Sequence, residues 1–150
     1  MSHDQDACVF CEIVLGREPA SIVYRDELVC GFMDIQPVNP GHLLVIPVAH
    51  VAHVSDLDAS VGERMFRVAQ RLAEAIRNSG VRCEGVNFFL ADGVAAGQEI
   101  FHTHLHVFPR FDGDGFGLRH PPDYHSLPER TSLEAIAMSI RNASAKSHVA

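Results

Sequence analysis

The sequence predicts an α+β domain: an antiparallel sheet, one long helix, and short helices toward the N- and C-terminal ends. Five short apolar or alternating segments, at residues 22–25, 28–33, 42–46, 86–91 and 102–108, read as strands bounded by turn residues. Only one long stretch, opening near Asp58 and ended by Gly80, carries sustained helical periodicity. Strands therefore outnumber the helices that would cross between parallel neighbours, which favours antiparallel pairing. With 150 residues, 47% hydrophobic and 21% charged, the chain is expected to form one domain over residues 1–150 with a packed core.

Each element has its own signal. Val9 to Leu15, closed by Gly16, reads as a short helix. Asp26-Glu27 joins the first two strands as a hairpin. Pro37, Pro40 and Gly41 punctuate a loop, and Pro47 stops the buried strand His42-Leu-Leu-Val-Ile46. Ser55 and Asp58, three residues apart, suit a capped helix start. Val61, Met65, Val68, Ala69, Leu72, Ala73 and Ile76 then recur at helical spacing. Gly93, Ala95, Ala96 and Gly97 form the loop before the last strand, and Leu133, Ile136, Ala137 and Ile140 mark a terminal helix over 131–143. No repeat or low-complexity tract interrupts the series.

A net charge of −7 argues against broad nucleic-acid binding, which needs a basic surface, yet leaves room for a small phosphate ligand in a cleft. Met1 to Ala7 lacks the basic start and apolar core of a leader, and no apolar run approaches the roughly 20 residues of a membrane helix. A cytoplasmic location is therefore expected, where a disulfide framework is disfavoured and the pair Cys8-x-x-Cys11 needs another explanation.

The most informative segment runs from Gly97 to Arg110. On a strand, side chains alternate faces, so His102, His104 and His106 fall on one side, each roughly 7 Å from the next. Thr103, Leu105 and Val107 point to the other side, toward a core. A strand with one buried face gains nothing structural from three imidazoles on the opposite one. The chemistry explains them: neutral imidazole is a nucleophile toward phosphorus, and a second one beside it can donate to the charge developing on phosphate oxygens. Backbone N–H groups of the Gly97-Gln98 turn are candidate further donors.

These residues also carry a resemblance. His102-Thr-His-Leu-His-Val-Phe108 is similar to the His-x-His-x-His-x-x signature of the histidine-triad, or HIT, nucleotide hydrolases, with Thr103 polar where the signature is apolar. It extends through Ala95-Ala-Gly-Gln98, Gly41-His-Leu-Leu-Val-Ile-Pro47 and Phe32-Met-Asp-Ile35, covering residues 8 to about 120. The resemblance implies that His104 attacks an α-phosphate, that His106 and Gln98 contact the phosphate and leaving group, and that His42 sits near the same phosphate. It also implies that the His102 carbonyl holds the tautomer of His104. The base pocket would be Val9, Phe10, Ile13, Phe32 and Ile35, with Asp34 accepting from the ribose; from sequence alone Asp34 also suits a turn cap. Two departures stand out: Ala91 where many relatives place Asn, and Glu99 where Ser or Thr is common. Glu99 would repel polyphosphate tails and favour an amine leaving group.

Cys8-x-x-Cys11 opening a helix suggests half of a tetrahedral zinc site. Zinc-containing bacterial members of the resembled family complete it with two histidines, which here are His50 and His102, His53 being a weaker substitute for His50. Such a closed site is structural and needs no catalytic metal beside it. Cys30 and Cys83 show no partner. The expected activity is hydrolysis of nucleoside phosphoramidates or mixed anhydrides through a nucleotidyl-His104 intermediate, on purine nucleoside monophosphate derivatives. The alternatives are dinucleoside polyphosphate hydrolysis, or nucleotide-binding regulation with little turnover. The resemblance also implies a homodimer, and the long helix and strand 86–91 are the expected seam. The turn-rich segment 111–122 reads as a flap or a plain surface loop.

Overall fold

The computed structural model describes residues 8–147; Met1 to Ala7, read above for a leader, lies outside the described residues. The elements run α1 (Val9–Val14), β1 (Ile22–Arg25), β2 (Val29–Met33), β3 (Leu43–Pro47), α2 (Ala59–Asn78), β4 (Gly85–Phe89), β5 (Leu105–Arg110) and α3 (Arg130–Ser147). All strand pairs are antiparallel, in the order β1-β2-β3-β5-β4. The α+β expectation holds. The chain divides into two compact units, residues up to Phe116 and from Gly117 onward. The first contains the whole sheet; the second contains α3, which is longer than the predicted 131–143. Among the described residues no helix is long and apolar enough to cross a membrane.

Strand parity explains how the first unit is built. Val29 of β2, Leu43 and Val45 of β3, and Leu105 and Val107 of β5 share one face. They pack against Met65, Val68, Ala69, Leu72, Ala73 and Ile76, the apolar stripe of α2. Each such Val, Leu, Ile or Met side chain fully removed from water contributes about 1.5–3 kcal/mol. Residues one step out of phase (Cys30, Phe32, Leu44 and Ile46) face the other way and pack under Phe10 and Val14 of α1. His106 pairs in register with Leu44, so it lies on the α1 side, not the α2 side.

Boundaries moved for identifiable reasons. Asp58 alone caps α2, its carboxylate accepting from the Ser60 N–H at 2.8 Å, while Ser55 sits in a separate 3-10 turn, Val54–Asp56. β4 ends at Phe89, paired with His106, so Leu90 and Ala91 leave the ladder. The predicted strand 102–108 begins only at Leu105, because the Thr103 N–H donates to the Val51 carbonyl at 2.6 Å instead of to a neighbouring strand. His102 and His104 thus precede the strand.

Gly41 is the one turn glycine on which the site depends. Its φ of +100° is open to glycine, and an added Cβ would lie 3.2 Å from the Pro109 ring. This turn delivers His42 to the head of β3.

Candidate active site and metal centre

The histidine rings are oriented by peptide groups, and these fix which nitrogen carries a proton. His104, 6% exposed, donates from Nδ1–H to the His102 carbonyl at 2.7 Å. Its Nε2 therefore carries a lone pair. On the neighbouring residue the logic inverts. The Val38 N–H donates to His42 Nδ1 at 3.0 Å, so neutral His42 bears its proton on Nε2 and donates it to His106 Nδ1 at 2.9 Å. His106 in turn holds its own proton on Nε2. The His104 and His106 rings lie 4.9 Å apart, so a lone pair and an N–H stand side by side.

Burial, then the neighbouring His104 and His42, push His106 down to about 4 against the opposing pull of Asp34. Burial likewise lowers His42, again opposed by Asp34. Both rings are neutral at pH 7. Asp34 does two things at once. Its Oδ1 caps the turn by accepting from the Gln36 N–H at 2.8 Å, and its Oδ2 lies 3.5 Å from His42 Nε2 and 3.8 Å from His106 Nδ1. Asp34, His42 and His106 offer donor atoms close enough together for a cation. Because the Val38 N–H occupies the His42 lone pair, however, the facing nitrogen is protonated and unfit to ligate.

Two implied phosphate contacts look different in three dimensions. Gln98 is buried, its Oε1 accepts from the Gly93 N–H at 2.7 Å, and its Nε2 donates to the carbonyls of Ala52 at 2.8 Å and Ile100 at 3.2 Å. No N–H of that carboxamide remains for a phosphate. The backbone N–H groups of Gly97 and Gln98 are also committed, to the carbonyls of Val94 and Gly93. Gln98 thus closes the loop and ties it to the segment carrying His50. His42, 3% exposed, stands behind His106 and reaches a substrate only through it.

Of the expected base-pocket residues, Phe10 and Phe32 are buried and meet edge to face at 5.4 Å. Ile13 is partly buried against the same cluster. Val9 and Ile35 leave apolar surface open, Ile35 at 93% exposure beside Asp34. Ala91 is buried and presents no polar group, and Glu99 is exposed. An open cleft of about 780 Å³ lined by Arg25, Asp26, Glu27, Leu28, Val48 and Arg64 contains none of the histidines, and Arg64 and Asp26 within it form an ion pair at 2.7 Å.

The two cysteines of Cys8-x-x-Cys11 and the two histidines that the resemblance adds to them do converge. Ligand atoms of Cys8, Cys11, His50 and His102 all lie within 4.8 Å of one another. His102 Nδ1 is 3.5 Å from the Cys8 Sγ and 3.7 Å from the Cys11 Sγ, and His50 Nδ1 is 3.2 Å from the Cys11 Sγ. A tetrahedral zinc with ordinary bond lengths needs a sulfur–nitrogen edge of roughly 3.6 Å. The second nitrogen of His102 donates to the Pro47 carbonyl at 2.9 Å, which aims the Nδ1 lone pair at the sulfurs. Burial pushes His102 down to about 4, which keeps its Nδ1 lone pair free near neutral pH, and burial plus the adjacent Cys8 raises Cys11 to about 11. His53 instead pairs with Asp92 at 3.3 Å and takes no part.

The Val38 N–H and the Pro47 carbonyl, which settle two of the tautomers, are backbone groups with no side-chain signal, and sequence reasoning missed both.

Comparison with known proteins agrees with this geometry. The HIT domain family model matches residues 16–113. A Zn-bound histidine triad family protein from Mycobacterium smegmatis is 44% identical, with a TM-score of 0.72 over 81% of this chain and 87% of that one. A HIT family member from Bacillus subtilis is 36% identical, with a TM-score of 0.81 over 91% of this chain and 96% of the other. A protein of Arabidopsis thaliana named adenylylsulfatase HINT3 is 33% identical over 82% of this chain and 62% of its own length. With nearly two-thirds of its residues inside the family match, the chain belongs to the HIT family.

Proposed function

We propose that the protein is a hydrolase of nucleoside phosphoramidates or mixed anhydrides that works through a nucleotidyl-His104 intermediate. One observation carries this reading: the His102 carbonyl leaves a lone pair on His104 Nε2, beside the Nε2–H that the His42 contact leaves on His106. His104 Nε2 forms a bond to the α-phosphorus while the bond from phosphorus to the leaving group breaks. An amine leaves neutral, taking the proton it carried as the ammonium form; a carboxylate, sulfate or phosphate leaves as the anion. The His106 N–H hydrogen-bonds to the oxygens on which charge develops. Water then adds to phosphorus as the bond from phosphorus to His104 Nε2 breaks, its proton passes to bulk solvent, and the nucleoside monophosphate is released with His104 neutral again.

The nucleoside side rests on Asp34 accepting from ribose hydroxyls and on exposed Val9 and Ile35 offering apolar surface to a purine. The Arabidopsis relative named an adenylylsulfatase supports a nucleotidyl substrate with an acidic leaving group. Cys8, Cys11, His50 and His102 would hold zinc as a closed structural site, supported by the Zn-bound relative and by the converging donors. Bound there, the metal supplies cross-linking of α1 to the segment preceding β5, and none of the chemistry. Dimerisation through the β4 edge and α2 is supported by exposed Phe66 and Phe88, whose rings lie 5.9 Å apart.

The test is mass spectrometry of protein quenched in acid-free denaturant during turnover of adenosine 5′-phosphoramidate. Wild type should carry an adenylyl adduct that His104→Asn never forms. Turnover without an adduct, or an adduct retained by His104→Asn, refutes the mechanism; binding without turnover supports a regulatory role instead.

A further inference from the structure

Phe10 sits between the two cysteines of the four-donor cluster, yet it also touches the nucleophile. Its ring meets His104 edge to face at 5.3 Å and 79°, His102 at 5.9 Å and 73°, and Phe32 at 5.4 Å. At 5% exposure it offers little surface to a nucleotide base, although the family resemblance places it in the base pocket. Its position depends on α1, a helix of six residues whose N-cap, Cys8, makes no side-chain capping bond. A helix that short does not hold itself. What fixes it is the packing of Phe10 and Val14 and the convergence of Cys8 and Cys11 on His50 and His102.

His104 is therefore gripped from two directions by parts of the same cluster. The carbonyl of His102 accepts from its Nδ1–H, while the ring of Phe10 closes on its side. We infer that Phe10 is a positioning residue for the nucleophile: it transmits the seating of α1 on the Cys8–Cys11–His50–His102 cluster to the ring orientation of His104. The geometry demands little motion. A tilt of α1 carries the Phe10 ring away from His104, which then rotates about its side-chain bonds and departs from the line of attack, where misplacement of about 1 Å can cost roughly a hundredfold. The inference rests on the reading of His104 as nucleophile and of the cluster as a zinc site.

The decisive variant is Phe10→Leu, which keeps a buried apolar side chain but removes the ring. Adenosine 5′-phosphoramidate turnover, zinc content and nitrogen-15 NMR of the histidine rings are measured together. The expected result is one zinc per chain, KM within twofold of wild type, kcat lowered at least tenfold, and a His104 signal broadened or shifted from its Nδ1–H form. An unchanged kcat and His104 signal, or a loss confined to KM as a base-contacting residue would give, overturns the inference. Should Phe10→Leu fail to fold, zinc titrated into metal-free wild type probes the same link. The His104 ring signal should sharpen in proportion to metal bound, and a signal constant across the titration overturns the inference. Wild type with no adenylyl adduct would sink the nucleophile reading, whereas the ring signals test Phe10 either way.

Discussion

Lowering the pH should unfold this protein through His106 in particular, and the size of the effect follows from its surroundings. The ring is four-fifths shielded from solvent and sits at about 4, below its ordinary 6.5, because burial and the adjacent His104 and His42 disfavour its charged form. In the unfolded chain that ring takes up a proton near 6.5. Between 6.5 and about 4 the unfolded state thus binds more protons, and stability present above 6.5 drains away as the pH falls. The gap, at about 1.4 kcal/mol per pH unit, sets a ceiling of about 3.5 kcal/mol. For a chain of this size that is a fall of roughly 7–14 °C in Tm, at 2–4 °C per kcal/mol. Other groups titrate in the same range, so the comparison is between wild type and His106→Asn by urea unfolding from pH 7.5 to 4.5. The wild-type curve should fall more steeply, and the two should converge toward pH 4. Parallel curves across the whole range would refute the account of a buried neutral ring.

Three further outcomes are expected. Removing metal with a strong chelator should lower Tm by roughly 8–16 °C, if metal is held at about a thousand times its dissociation constant; calorimetry that shows no change counts against the site. Thr103 is buried with its hydroxyl lacking a hydrogen-bond partner among the described residues, so Thr103→Val should raise stability by about 1 kcal/mol in urea unfolding. Gly41→Ala places a Cβ against Pro109 and Val81 at a positive φ and should cost about 2 kcal/mol or more, with a loss of kcat because His42 follows it.

The sequence carried the fold further than it carried the site. Parity along β3 and β5 was legible because alternate residues differ so sharply in polarity, and it put His106 on the face opposite Leu105 and Val107. The same logic overreached at His102 and His104. A period-two pattern is visible whether or not a strand forms, and here the Thr103 N–H leaves the sheet to bind Val51 while the His102 ring turns to the cysteines. Gln98 departs from expectation for a related reason. A carboxamide near a glycine turn suits a phosphate or a loop clamp equally, and only the carbonyls of Ala52 and Ile100 decide between them. The four-donor cluster was half legible, as Cys8-x-x-Cys11, because ligands one helical turn apart leave a local signal whereas His50 and His102 come from distant loops.

Under the proposed function, one residue type does three jobs within five positions. His102, His104 and His106 have the same ring, and each is told apart by what holds its other nitrogen. The Pro47 carbonyl takes the Nε2–H of His102 and so turns its Nδ1 toward the cysteines. The His102 carbonyl takes the Nδ1–H of His104 and leaves a lone pair on its Nε2. His42, itself oriented by the Val38 N–H, fills the Nδ1 lone pair of His106 and leaves an N–H facing outward. In the proposed function, ligand, nucleophile and donor are thus told apart by backbone groups, directly or through one intermediate ring, and swapping the roles would require rebuilding the loops at 38 and 47 rather than mutating a histidine. His42→Asn tests that assignment by kinetics. An asparagine cannot reach as far as the imidazole, so His106 loses its tautomer constraint while every group expected to touch substrate remains, and kcat should fall with KM little changed.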